Sequence, residues 1–97
     1  MLDLAEKASI EMGFTRLEFN NLLLAQDVFE FTTNGNRVVF LYMDGEVKMR
    51  LGDDDYRCIS SWKIPKIKID LDFSGLEESS RRPFMNTFTK TFLKGGG

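Results

Sequence analysis

Histidine is absent from this 97-residue sequence, and cysteine occurs once, at Cys58. The first absence removes the side chain that titrates near neutral pH, the usual orienting partner of serine and cysteine nucleophiles, and the commonest metal ligand. The second excludes an intramolecular disulfide and any site built on a cysteine pair. Cys58 lies within an apolar stretch, which predicts a buried, inert thiol. No apolar run approaches the roughly 20 residues that span a bilayer, and Met1-Leu2-Asp3-Leu4 opens with an acid where a signal peptide needs bases, so a cytoplasmic protein is expected. The G-x-S-x-G, G-x-x-x-x-G-K and G-x-G-x-x-G patterns are missing too. Asp53-Asp54-Asp55 lacks the alternating spacing and distal Glu of a calcium loop and reads as a solvated turn. No catalytic residue, metal site or cofactor is therefore expected, and binding is the function class that survives.

What the chain does have is core material. Nine Phe, one Trp and a hydrophobic fraction of 42% suit one domain of ordinary size, expected over residues 1–94 and followed by a flexible glycine tail at 95–97. The net charge of −2 conceals an asymmetry: residues 1–55 carry eleven acids and five bases, a balance of −6, whereas residues 56–97 carry four acids and eight bases, a balance of +4. Two electrically distinct faces would follow if the two halves separate in space.

Periodicity predicts an α+β fold. Leu2, Leu4, Ala5, Ala8 and Met12 recur at helical spacing before Gly13, giving a first helix over 2–12. Thr15 and Glu18 form a capping box, with Phe14 and Phe19 as its hydrophobic staple, so a second helix is expected over 16–25, with a strand over Arg16 to Leu24 as the alternative because Leu22-Leu23-Leu24 is an uninterrupted apolar run. The two would make an N-terminal helical hairpin. An antiparallel meander of four or five strands follows: Phe29 to Thr32, Arg37 to Met43, Glu46 to Leu51, Tyr56 to Ile64 ended by Pro65, and Lys66 to Phe73. Asn34-Gly35-Asn36 and Asp44-Gly45 supply its turns. A capping box at Ser74 and Glu77 opens a turn that Pro83 interrupts, and Phe84, Met85, Phe88, Phe92 and Leu93 form the stripe of a C-terminal helix over 84–94. The run Thr87-Phe88-Thr89-Lys90-Thr91 leaves a strand open as the alternative there. Because the sheet's apolar face needs cover and only helices can supply it, the arrangement expected is two-layer.

Three surfaces are candidates for binding. The wet face of the sheet would carry Lys48, Arg50, Arg57, Lys63, Lys66 and Lys68, with Glu30, Asp70 and Asp72, and would meet an acidic protein surface or a phosphate backbone. The aromatics Phe29, Phe31, Tyr56, Trp62 and Phe73 are expected on the inward phase, which argues against base stacking. Second, Ala8, Met12, Gly13, Phe14, Phe19 and Leu22 occupy positions that resemble a helix-turn-helix over about twenty residues. That resemblance implies DNA contacts by Thr15, Arg16, Asn20 and Asn21. Third, Leu93-Lys94-Gly95-Gly96-Gly97 is similar to the end of ubiquitin-like modifiers, although such folds begin with a β-hairpin and this chain is expected to begin with helices. The leading expectation is a small adaptor, regulator or inhibitor, of the kind common among phage and accessory factors. It would bind a partner protein through the basic sheet face or a strand edge, and the unpaired outer strands also admit self-association.

Overall fold

A computed structural model describes residues 6–92. Its elements run β1 (Lys7–Met12), α1 (Arg16–Ala25), β2 (Glu30–Asn34), β3 (Arg37–Tyr42), β4 (Gly45–Leu51), β5 (Asp55–Ile59), β6 (Trp62–Asp72) and α2 (Glu78–Phe92). The strands form one antiparallel six-stranded sheet in the order β1-β6-β4-β3-β2, with β5 paired to β6 alone. The fold is α+β with a C-terminal helix, as expected.

The N-terminal helical hairpin is not found, because Lys7–Met12 is a strand. Ala8, Ile10 and Met12 face the core while Lys7, Ser9 and Glu11 face outward. That period-two alternation outweighs the helical spacing, which leaned on Leu2, Leu4 and Ala5 in the stretch preceding the described residues. Helix α1, in contrast, spans its expected residues. Thr15 Oγ1 accepts from the Glu18 amide at 3.1 Å and Glu18 Oε1 accepts from the Thr15 amide at 2.9 Å, completing the capping box.

The core is largely phenylalanine. Phe40 of β3 meets Phe84, Phe88 and Phe92 of α2 with ring centroids 5.9, 6.0 and 6.2 Å away, and Phe19 of α1 lies 5.0 Å from Phe92. Tilted and edge-on ring pairs of this kind add about 0.5–1.5 kcal/mol each beyond the area they bury. Helix α2 runs through Pro83 without a break, and residues 84–92 are helical; the last two of the expected helix and the glycine tail lie outside the described residues. It starts at Glu78, so Ser74 does not cap it; the Ser74 amide donates instead to Asp72 Oδ1 at 2.9 Å.

Of three turns, the first is as expected and the other two differ from their expected form. Asn34 pairs with Arg37, leaving Gly35 at φ 64° in the turn where glycine was anticipated. Tyr42 pairs with Gly45, so the β3–β4 turn is Met43-Asp44, one residue earlier than the Asp44-Gly45 signal, and Met43 itself takes φ 53°. Gly45 serves a different need: a side chain there would collide with the Gly75 carbonyl, whose oxygen accepts from the Glu46 amide at 3.0 Å. Finally, Tyr56–Ile64 is not one strand. Ile59 pairs with Trp62 across Ser60-Ser61, and β6 continues through Pro65 into the core.

Strand β6 is therefore the spine. Its eleven residues extend roughly 35 Å at about 3.3 Å each. Residues 67–72 lie between β1 and, from Ile69 on, β4, whereas residues 62–66 pair only with β5. Strand β5 continues β4 along the same side of β6 after a bulge: Leu51 faces Ile69 and Asp55 faces Lys66, so three residues oppose two. The β5–β6 hairpin consequently leaves the body as an arm.

Candidate functional site

The open face of the sheet is the face whose residues alternate with the core. Strand register sets its rows. One runs Asn34, Arg37, Arg50, Asp70, Ser9, and the next runs Thr32, Val39, Lys48, Asp72, Lys7. An open depression of about 800 Å³ lies over these rows, lined among others by Lys7, Arg37, Lys48, Arg50, Asp70 and Asp72. Four cations thus meet two carboxylates.

Both carboxylates are engaged. Asp70 accepts from Ser9 Oγ at 2.6 Å and from Arg50 Nη2 at 3.2 Å; these hydrogen bonds, Ser9 first, hold its pKa below the ordinary aspartate value. Asp72 is held low chiefly by its bonds to Ser74, with Lys7 and Lys48 adding attraction. Lys48 reaches Glu46 at 4.0 Å, a distance at which an exposed pair contributes little. Arg37 has no hydrogen-bond or ion-pair partner among the described residues. It stands directly opposite Arg50, and like charges in that position repel. This corner of the face therefore holds an unpaired guanidinium, Arg37, next to the Arg50–Asp70 pair.

The expected basic set is only partly brought together. Lys48, Arg50 and Lys68 do lie on the open face. Arg57 and Lys66 lie on the same phase but are tied down: Arg57 Nη2 meets Glu11 Oε1 at 3.3 Å, and Lys66 Nζ lies 3.9 Å from Glu11 and 3.8 Å from Asp55. Two cations and two acids cancel there. Lys63 belongs to the opposite phase, in register with Cys58, and its ammonium sits 5.7 Å from the Tyr56 ring centre. The acidic and basic halves of the chain do not separate, because β6 of the second half pairs with β1 and β4 of the first: Lys48 faces Asp72, Arg50 faces Asp70, and Glu11 faces Lys68.

The arm carries what sequence reasoning missed. Cys58 is exposed rather than buried. Trp62, Ile59, Tyr56 and Ile64 are 70%, 50%, 45% and 42% exposed, whereas Phe29 and Phe73 are buried as expected. Trp62 and Ile64 share the phase of Lys66, Lys68 and Asp70, and Ile59 is in register with Trp62. Ile59, Trp62 and Ile64 therefore form an apolar group on the open face, beyond the charged depression. Strand alternation reveals a side chain's phase but not whether a core lies beneath it, and beneath the arm there is none.

The helix-turn-helix resemblance fails structurally, since a strand precedes α1. Thr15 is occupied as the cap, and Arg16 is bound inward: its Nε donates to the Gly52 carbonyl at 2.6 Å and its Nη2 to the Leu51 carbonyl at 3.3 Å. Asn20 and Asn21 are exposed on α1. The aspartate turn is likewise structural, with Asp53 on the Arg16 guanidinium at 3.3 Å and Asp54 Oδ1 accepting from the Arg16 amide at 2.7 Å. Among the described residues no group of three or more His, Cys, Asp or Glu is placed to hold a metal ion, and no helix is long and apolar enough to cross a membrane. Comparison of the chain with protein-family models, with curated proteins and with solved structures finds no match.

Proposed function

We propose that this protein is a non-catalytic interaction module, an adaptor, regulator or inhibitor, built as two layers with helices on one face of a sheet whose other face is left for a partner protein. The observation that carries this reading is the position of Ile59, Trp62 and Ile64 on the same face as the cation-rich depression. Binding energy at protein interfaces concentrates in Trp, Tyr and Arg anchors surrounded by polar contacts, and an apolar group in register with Arg57, with Arg50 and Arg37 farther along the same face, has that composition. The partner's matching chemistry is an apolar pocket with an acidic rim. A nucleic acid fits less well, because the bases at the foot of the arm are neutralised by Glu11 and Asp55.

Affinity capture from the native host tests this, with wild type compared against Trp62→Ala and against Arg37→Glu. The expected result is a protein retained by wild type and lost from both variants, with thermal melts unchanged. A partner held equally by all three, or duplex DNA bound with a steep salt dependence that Trp62→Ala does not alter, overturns the reading.

A further inference from the structure

Strand β1 is the sheet's last strand, with β6 on one side and no strand on the other among the described residues. The Phe73 amide donates to the Glu6 carbonyl at 2.7 Å, so Glu6 and Phe73 form a hydrogen-bonded pair. Bonded and non-bonded pairs alternate along an antiparallel ladder. Ala8, Ile10 and Met12 therefore bond to β6, and Lys7, Ser9 and Glu11 turn their backbone N–H and C=O groups to the open side. The strand contains no proline or bulge to blunt the edge, and its two outward charges, Lys7 and Glu11, are of opposite sign.

We propose that this edge pairs with the same edge of a second copy of the chain, antiparallel about a two-fold axis through Ser9, joining two sheets into one. Charge selects the register. Centred on Ser9, Lys7 of each copy lies directly opposite Glu11 of the other, an exposed carboxylate that Arg57 and Lys66 of its own chain also share. On the core face, half-buried Ala8 lies opposite half-buried Ile10, a small residue against a large one in both directions. Shifting the centre to Ala8 or Ile10 loses both charge pairs. Ser9 would then exchange two backbone hydrogen bonds with its counterpart.

The other free edges carry less. Strand β2 (Glu30-Phe31-Thr32-Thr33-Asn34) has one charge and nothing to match it. Strand β5 offers Asp55 against Arg57, but all five of its residues are exposed, and a two-stranded ribbon without a core beneath it is a poor platform. Strand β1 is backed by Met12, Ile67 and Ile69, all buried. Pairing here uses an edge rather than the open face, so it stands or falls apart from the partner proposed above, and a dimer would present two arms.

The test is mass in solution together with register. Light scattering across a dilution series should show the 11.2 kDa chain doubling as concentration rises. Lys7→Glu alone and Glu11→Lys alone should each remain monomeric, because each places like charges opposite one another. Mixed in equal amounts they should form a heterodimer, since every pair is again of opposite sign. In a Cys58→Ser background, oxidised Ser9→Cys should cross-link and Lys7→Cys should not, because only position 9 faces itself. A wild type that stays at single-chain mass at every concentration, a mixture no more associated than its components, or Lys7→Cys linking as readily as Ser9→Cys overturns the proposal.

Discussion

The amide of Arg16 donates to Asp54 Oδ1 at 2.7 Å, fastening the first turn of α1 to the bulge between β4 and β5. From the same residue the guanidinium reaches back to the carbonyls of Gly52 and Leu51. A carboxylate at a helix N-terminus satisfies an amide that the helix cannot, and a forked cation satisfies carbonyls that the interrupted ladder leaves over. Helix start and strand break are thus one unit.

Removing the fork should cost stability. Arg16→Ala is expected to lose about 1–3 kcal/mol, the usual consequence of stripping partners from half-buried polar groups, and Arg16→Lys should recover little because an ammonium is a compact point charge without the rigid planar fork that places Nε and Nη2 on the two carbonyls. Thermal melts of the two variants check both statements.

Phe40 sits among Phe29, Phe84, Phe88 and Phe92 and is fully buried. Phe40→Ala should destabilise by about 3–5 kcal/mol through lost burial and an unfilled cavity, read as a lowered midpoint in urea.

Trp62→Ala is expected to behave in the opposite way. With 70% of its surface exposed, truncation should move stability by no more than about 0.5 kcal/mol. A large loss of folding would mean that the indole supports the arm rather than offering itself for docking.

Gly45→Ala should destabilise by about 1–3 kcal/mol, the range for forcing atoms into filled space, because the added methyl meets the Gly75 carbonyl in backbone that cannot easily retreat. Gly35→Ala strikes no atom but requires a left-handed alanine at φ 64°, which costs about 1–2 kcal/mol.

The pH dependence follows from Asp70 and Asp72, both held below the ordinary aspartate value of 3.8. A carboxyl whose pKa is lowered by folding stabilises the fold above the unfolded-state value and ceases to do so as pH falls through the folded-state value. Stability should therefore be level near neutrality and decline as the solution is acidified below about pH 4, the unfolded aspartate range. Asp70→Asn should make that decline shallower, as urea midpoints measured at several pH values would show.

How much of this was legible beforehand depended on whether the local signal and the tertiary context agreed. Helix α1 announced itself through Thr15 and Glu18, whose reciprocal bonds are local. Strands β3 and β4 and the core half of β6 could be read because one face is buried and the alternation is clean. Strand β1 was misread because helical spacing in residues 2–8 competed with the alternation of Ala8, Ile10 and Met12, and only the docking of those three on β6 decides the matter. The Ser60-Ser61 turn has no glycine, asparagine or proline, so Tyr56 to Ile64 looked continuous. Breaking the chain at Pro65 in turn obscured the phase that runs from Lys66 back to Trp62 and put Lys63 on the wrong side. Of the open face, Lys48, Arg50 and Lys68 were foreseeable from period alone. The opposition of Arg37 to Arg50 required a strand register, and the exposure of Trp62 required knowing where the helices end.

Trp62–Asp72 is one unbroken strand from the arm's tip to the middle of the sheet. Mechanically the arm is a cantilever clamped between β1 and β4, with no joint on its longer member. A load placed on Trp62 would be carried along the strand to Ile67, Ile69 and Leu71, which are buried in the core.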